Sequence, residues 1–325
     1  TVMNTTHSIS DSTSGGNVAG TDYTVVGGAR NSERRMPLSI LVLHRGGRID
    51  REGLFRDLSE RHDGEIISIE AAEGSYDVER LAQRYGNVKF ILPARSMNIG
   101  AQINVGMSEC SSEYLYVIWN DMRLHEISER MLSRVMSEDV LCNAPYIRND
   151  RSLVIPTVMT PAFERRGNLR VLPQTPHSET VVSLYPYDYV GIYRKQRYLD
   201  VFGYDSRINR PYWQKLEFGL RCWMWNEQIH LSSALRIAYS GSPPSEDATP
   251  DEDYLRFYWK TLGVRISLSG ADLSSRRLIG GIVRTPTGAP TLIRSFRELR
   301  RELRRYGPRY KRSALKVISE WEADV

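Results

Sequence analysis

From residue 37 onward, short apolar runs alternate with segments whose apolar residues recur at helical spacing. Leu38 to Leu43 (LSILVL), 65–70 (EIISIE), 88–92 and 114–119 (YLYVIW) read as strands covered on both faces, as in parallel sheets. The intervening stretches 54–61, 78–85 and 100–110 carry helical patterns, the last with apolar Ala101, Val105 and Met107. Such alternation predicts right-handed βαβ units, whose ligands gather at the carboxyl ends of the strands. The fourth strand runs directly into Asn120-Asp121.

Outside this stretch the pattern changes. Residues 1–35 are rich in Ser, Thr, Gly and Asn and show almost no apolar periodicity, so they are expected to be a disordered segment. The stretch 143–180, with its Pro, Arg and Asn, reads as a long loop region with short strands over one face of the sheet, a place for acceptor recognition. A further strand is expected within 181–194, a turn at Gly203-Tyr204-Asp205 and a helix over 213–227 with Leu216, Leu220, Trp223 and Met224 on one face. Beyond residue 240 a tyrosine-rich helix over 254–262 and a final helix with the stripe Leu292, Phe296, Leu299, Leu303 and Tyr306 complete the reading. These boundaries divide the chain into 1–35, a core domain over 36–240 and a helical, basic C-terminal extension over 241–325.

Composition narrows the chemistry. With 325 residues and 41% hydrophobic content the chain is long enough to bury a sizeable core. No run approaches the roughly 20 apolar residues of a membrane span, and the start lacks the apolar stretch of a secretory signal, so a cytoplasmic location is expected. Cys110, Cys142 and Cys222 are widely spaced and odd in number, which suits neither a disulfide framework nor a zinc site. The six histidines form no ligand pair. The net charge of +5 belongs to the tail, because 294–316 carries ten Lys or Arg against two Glu. With no recognisable nucleic-acid module and a body acidic on balance, nucleic acid is not an expected partner.

On its own, an Asp after an apolar strand is a common turn or cap residue. Its surroundings add more. Asn98-Ile99-Gly100, then Asn104 and Gly106, then Glu113 through Asp121 resemble the family 2 glycosyltransferase pattern of Asn-x-Gly, a second Asn-x-Gly on a helix, and Gly-Glu-Tyr-strand-Asp-x-Asp. Val190 to Lys195, Gly203-Tyr204-Asp205 and Glu217-Phe218-Gly219-Leu220-Arg221 are similar to that family's later blocks, in the same order. The resemblance implies a GT-A fold: an α/β, Rossmann-like mixed sheet flanked by helices. It also implies transfer of a sugar from a nucleotide-sugar donor to a glycan or lipid-linked acceptor, with inversion, as in a hexosyltransferase.

The same resemblance points to His44, Arg45 and Glu70 for the nucleotide base and ribose, and to Asn98 and Gly100 for the turn that admits the nucleotide. Asn120 and Asp121 would meet the diphosphate, Asp121 through a divalent cation, Mn²⁺ or Mg²⁺. The chain departs from the family at two chemical positions. Met122 stands where the last Asp of Asp-x-Asp belongs, and a thioether is a poor ligand for a hard cation; Arg123 is then the nearest side chain to neutralise diphosphate without metal. The acidic pair that supplies the catalytic base reads Gln214-Lys215, which leaves Glu217 as the remaining candidate base, with a helix-start capping or salt-bridging role as the plainer reading. These departures support a second reading, a catalytically inactive GT-A domain that binds a sugar nucleotide, glycan or partner protein. The arginine-rich final helix either docks on the core or lies peripherally on an anionic membrane surface.

Overall fold

The computed structural model describes residues 4–8, 22–28, 37–46, 50–71, 77–124, 127–163, 169–241, 245–267, 270–274 and 289–321, with the backbone alone at 4–8, 289 and 291. Its centre is the strand β3 (Leu38–Leu43), every side chain of which is buried. β4 (Ile66–Ile69), β5 (Val88–Pro93) and β6 (Tyr114–Trp119) lie parallel to it, in the lateral order β5-β4-β3-β6. Helices α1 (Arg51–Arg61), α2 (Val78–Arg84) and α3 (Ile99–Glu109) make the connections. α1 starts where Asp50 accepts from the Gly53 N–H at 2.9 Å, satisfying an end donor that has no partner within the helix. These elements lie where the apolar pattern placed them.

The amino-terminal segment does not behave as a structureless tail throughout. β1 (Asn4–Ser8) and β2 (Asp22–Gly27) pair with each other, and β2 pairs antiparallel with β5, burying Tyr23, Val25 and Val26. The short run DYTVVG was hidden in a composition averaged over Ser, Thr and Gly, and a sheet edge supplied the hydrogen bonds and apolar surface it lacked alone.

The stretch expected to be mainly loop also supplies core structure. After β7 (Met122–Leu124) and α4 (Glu129–Ser137), β8 (Cys142–Arg148) enters the middle of the sheet. β9 (Val158–Phe163) and β10 (Leu169–Gln174) form a separate hairpin, followed by β11 (Thr180–Val182) and β12 (Gly191–Arg194). β12 fits antiparallel between β6 and β8. α5 (Lys195–Asp200) and α6 (Pro211–Met224) precede β13 (Ile229–Tyr239), an 11-residue strand parallel to β8 and antiparallel to β7 and β11. Eleven strands thus make one mixed sheet, with β7 joined to it through β13. Pro145 within β8 and the polar residues around it masked that strand, because the sequence cannot show which partner covers it.

The described residues beyond 245 are mainly helical. α7 (Glu252–Lys260) is followed by the hairpin β14 (Val264–Ser267) and β15 (Gly270–Leu273), then α8 (Ala289–Tyr306) and α9 (Ala314–Ser319). The stripe of the last long helix faces inward: Phe296, Leu299 and Leu303 are buried, with Phe296 edge-on to Trp259 at 5.4 Å. The chain then returns to the core, where the Lys311 N–H donates to the Met224 carbonyl at 2.8 Å. Core and extension share one continuous apolar cluster.

Candidate functional site at the strand ends

The carboxyl ends of β3, β4 and β6 bring His44, Arg45, Glu70, Asn120 and Asp121 together. The ladder continues past the strands, since the Asn120 N–H donates to the Leu43 carbonyl at 2.9 Å. Asn120 Oδ1 accepts from the Arg45 N–H at 3.2 Å, and Asn120 Nδ2 donates to His44 Nδ1 at 3.2 Å. His44 Nε2 lies 2.8 Å from Ser68 Oγ, which donates to Glu70 Oε1 at 2.8 Å. This chain of bonds assigns the proton of the neutral imidazole to Nε2. Burial pushes the His44 pKa below its ordinary value, outweighing the attraction of Glu70, and Arg51 adds to the lowering. Glu70 is held by Arg51 at 2.8 Å, and Arg51 also pairs with Asp77 at 2.5 Å.

Arg45 links this group to a second carboxylate that the sequence reading missed. Its guanidinium stacks 3.9 Å from the centre of the Trp119 ring and pairs with both Asp121, at 3.3 Å, and Asp188. Asp188 also accepts from the Tyr239 hydroxyl at 2.6 Å, and its backbone carbonyl accepts from the Trp119 indole at 2.9 Å. Asp188 and Tyr189 have φ of 51° and 65°, the left-handed region that residues other than glycine rarely adopt. Two such residues in succession hold the Asp188 carboxylate against Arg45, a local strain that the surrounding packing maintains. Nothing in the run Tyr185 to Tyr189 marks this in one dimension.

Two carboxylates on one guanidinium leave the group one negative charge in excess. Burial and the Asp188 charge push the Asp121 pKa upward, with Arg45 opposing them. Asp121 Oδ1 is buried and has no hydrogen-bond partner among the described residues. An orphaned carboxylate oxygen beside surplus negative charge is suited to a cation or a ligand donor. Met122 does not contribute: it is buried on β7 opposite Tyr239, with its thioether in the core. Among the described residues no three metal-ligating side chains come together. Asp121 therefore offers a single carboxylate, which suits a hard cation only where other oxygen ligands complete the coordination. Arg123 is exposed next to it and engages no carboxylate among the described residues.

The remaining sequence candidates lie elsewhere. Asn98 caps α3 by accepting from the Ala101 N–H at 2.9 Å, and donates to the Ser206 carbonyl at 2.6 Å. Gly100 is small because Gln214 lies against it: a Cβ there would meet Gln214 Nε2 at 2.5 Å, while the Gly100 N–H donates to Gln214 Oε1 at 2.9 Å. Both residues thus brace the 205–214 turn, the helix-start reading of this motif. Glu217 is fully buried and bonded to Arg221 at 2.6 Å and Lys260 at 3.0 Å. With no exposed oxygen it has no path to an acceptor hydroxyl, so the structure corrects its assignment as base to that of an internal ion-pair partner.

Lys215, the second residue of the Gln214-Lys215 pair, is buried near the rings of Tyr185, Tyr187 and Tyr189 and pairs with Glu246. Glu246 is partly exposed and lies more than 30 residues along the chain, out of reach of any local motif. Tyr187 joins the two groups: burial, Asp188 and Glu246 together push its pKa up to about 12.

No family model matches the sequence, and no curated protein matches it. Among solved structures, GalNAc-T7 crystallised with UDP, GalNAc and Mn²⁺ superposes with a TM-score of 0.52 at 14% identity, covering 70% of this chain and 48% of that one. The core has the GT-A fold. The chain spans about half the length of the GalNAc-T7 structure it matches. S. aureus TarS superposes with a TM-score of 0.47 at 15% identity, over 68% of this chain and 38% of that one. TarS 1-349 in complex with UDP-GlcNAc gives 0.45 at 13% identity, over 68% and 64%. In the GT-A core described here, the strand-end group sits where the open ends of β3, β4 and β6 converge.

Proposed function

We propose that this chain is a glycosyltransferase that moves a sugar, of hexosyl type, from a nucleotide donor to a glycan or lipid-linked acceptor, with inversion. The observation that carries the reading is Asp121: a half-buried carboxylate whose inner oxygen, Oδ1, lacks a partner among the described residues, at the carboxyl ends of the parallel strands, beside Arg45, His44 and Glu70. The Glu70 carboxylate, with Ser68 and Arg51 around it, suits ribose hydroxyls, and the neutral His44 and the Arg45 backbone suit a nucleotide base. Arg45 and the exposed Arg123 suit the diphosphate, whose charge grows as the glycosidic bond breaks. The UDP, GalNAc and Mn²⁺ in the GalNAc-T7 crystal agree with a uridine-type donor and a divalent cation. A cation bound through Asp121 would supply Lewis-acid stabilisation of the leaving diphosphate.

An inverting transfer also needs a carboxylate to take the acceptor proton. Glu246 suits this step, since it is partly exposed, held in place by Lys215, and shares Tyr187 with the Asp188 group. Residues 158–182 and the hairpin they contain would flank the acceptor.

A thermal-shift panel of UDP-, GDP- and dTDP-sugars, with and without Mn²⁺, tests the donor step, since a ligand of the native state raises Tm. One class should raise Tm in the parent and fail to do so in Asp121→Ala. Absence of any response would overturn the reading. A response without turnover in transfer or hydrolysis assays would favour the binding-only domain.

The exposed basic face of α8, which includes Arg294, Arg301 and Arg305, suits an anionic membrane surface through charge alone, because its apolar stripe is spent inside the protein. No helix among the described residues is long and apolar enough to cross a membrane. Peripheral binding at the cytoplasmic face predicts co-sedimentation with phosphatidylserine vesicles that is lost at about 0.5 M salt, where the Debye length falls to a few ångströms. Salt-resistant binding, or none at low salt, would exclude it.

A further inference from the structure

A second cavity, of about 540 Å³, lies beside β7, the start of α4 and β13, and none of its lining residues belongs to the strand-end group. Tyr116 lines it from β6. Side chains alternate between faces along a strand, so Tyr116 and Trp119, three positions apart, point to opposite faces of the sheet. The cavity is therefore on the face away from the Arg45–Trp119 stack.

A break in the sheet shapes it. β8 and β13 run in register up to Pro145 opposite Ser232, but Tyr146 pairs with Arg236, so residues 233–235 bulge out of the ladder. Leu235 and Ala234 of this bulge line it, together with Leu124, Ile127 and Met131. Bulges of this kind re-aim side chains and are common beside binding sites.

The lining also carries polar groups. Arg148 and Arg236 line the cavity and donate to backbone carbonyls, that of Ser152 at 2.8 Å and that of Ser233 at 3.2 Å. Among the described residues no carboxylate pairs with either. The amino-terminal end of α4, capped by Ser128, opens on the same space and adds the positive end of a helix dipole. The Tyr116 side chain is buried, and its hydroxyl has no hydrogen-bond partner among the described residues. Burial pushes its pKa up, so it remains a neutral donor and acceptor.

We infer that this cavity is a second ligand site, built for an aromatic anion: a phosphate or carboxylate at Arg148 and Arg236, an apolar ring against Leu235 and Ile127, and a polar group meeting Tyr116. A simple fatty acid fits less well, because its methyl end would leave the Tyr116 hydroxyl unsatisfied. The volume is within the range of about 300–1,000 Å³ common for small-molecule sites.

Isothermal titration of the full chain with 4-hydroxyphenyl phosphate, phenyl phosphate, 4-hydroxyphenylacetate and uncharged hydroquinone tests this. The hydroxylated anions should bind more tightly than phenyl phosphate, by about fivefold to tenfold, and hydroquinone weakly. The ratio of the phosphate to the carboxylate tells which head group the arginines prefer. Tyr116→Phe should erase the advantage of the hydroxyl while leaving phenyl phosphate unchanged. Arg236→Gln, a surface change that does not depend on refolding the core, should weaken every anion by about tenfold. Excess UDP should not compete. Failure of all the anions to bind at millimolar concentration, binding indifferent to Arg236→Gln and Tyr116→Phe, or competition by UDP would each overturn the inference.

Discussion

The strand-end group and the ion cluster behind α6 both gather several opposite charges out of water, but they complete their bonding differently. At the strand ends Arg45 is shared by Asp121 and Asp188, and Asp121 keeps an unpartnered oxygen. Behind α6, Asp205 is held by Lys260 at 2.8 Å and Arg256 at 2.7 Å, and Glu217 by Arg221 and Lys260. Arg221 also donates to the Gly203 carbonyl at 2.6 Å, at a turn whose φ of +58° suits glycine. Lys260 and Arg256 come from α7, so this cluster ties the C-terminal extension to the core. A cluster whose carboxylate oxygens all have partners, as those of Asp205 and Glu217 do, holds elements together, whereas a carboxylate oxygen left without one is where a ligand can complete the bonding. Sequence motifs do not distinguish the two, as Glu217 shows.

The comparison can be broken most forcefully at Lys260. Lys260→Met removes a cation shared by two fully buried carboxylates and should destabilise the protein by about 3–5 kcal/mol in urea unfolding. A loss under about 1 kcal/mol would mean the cluster does not hold the extension.

Acid should separate the two regions next. Burial acts to raise the Asp205 and Glu217 pKa values, but Lys260 with Arg256, and Arg221 with Lys260, outweigh it and hold both below their ordinary values. A carboxylate depressed in the folded state adds stability that is fully present above its unfolded pKa, about 4, and is lost as pH falls through the folded value. Stability should therefore fall with pH below about 4, and Glu217→Gln should flatten that slope. An unchanged slope would remove Glu217 from the coupled group. Asp121, whose pKa is raised, contributes with the opposite sign.

The smallest effect is expected at Arg45. Its partly exposed pairs should be worth about 1–2 kcal/mol, so Arg45→Met should fold. The two freed carboxylates should then bind Mn²⁺ more tightly than in the parent, seen as a larger Mn²⁺-dependent rise in Tm. Equal responses would show that Arg45 does not compete with a cation at this place.

The parallel half of the sheet, β3 to β6 with its helices, was readable in the chain because these strands are apolar on both faces and each is bounded by a helical period. The motif block from Asn98 to Asp121 likewise anticipated the meeting of His44, Arg45, Glu70 and Asp121, since strand ends in such a sheet must converge. β2, β8 and β13 were not readable, because edge and mixed strands take their stability from partners distant in sequence. The same holds for the site. The sequence alone determined which residues end the parallel strands, because local periodicity decides where a strand stops. Only the tertiary structure could bring Asp188 onto Arg45 and Glu246 onto Lys215, and enclose Glu217 among cations. The contacts of Asp188 with Arg45, of Glu246 with Lys215 and of Glu217 with Lys260 join residues from 31 to 143 positions apart, and charge and burial there depend on neighbours that no local pattern specifies.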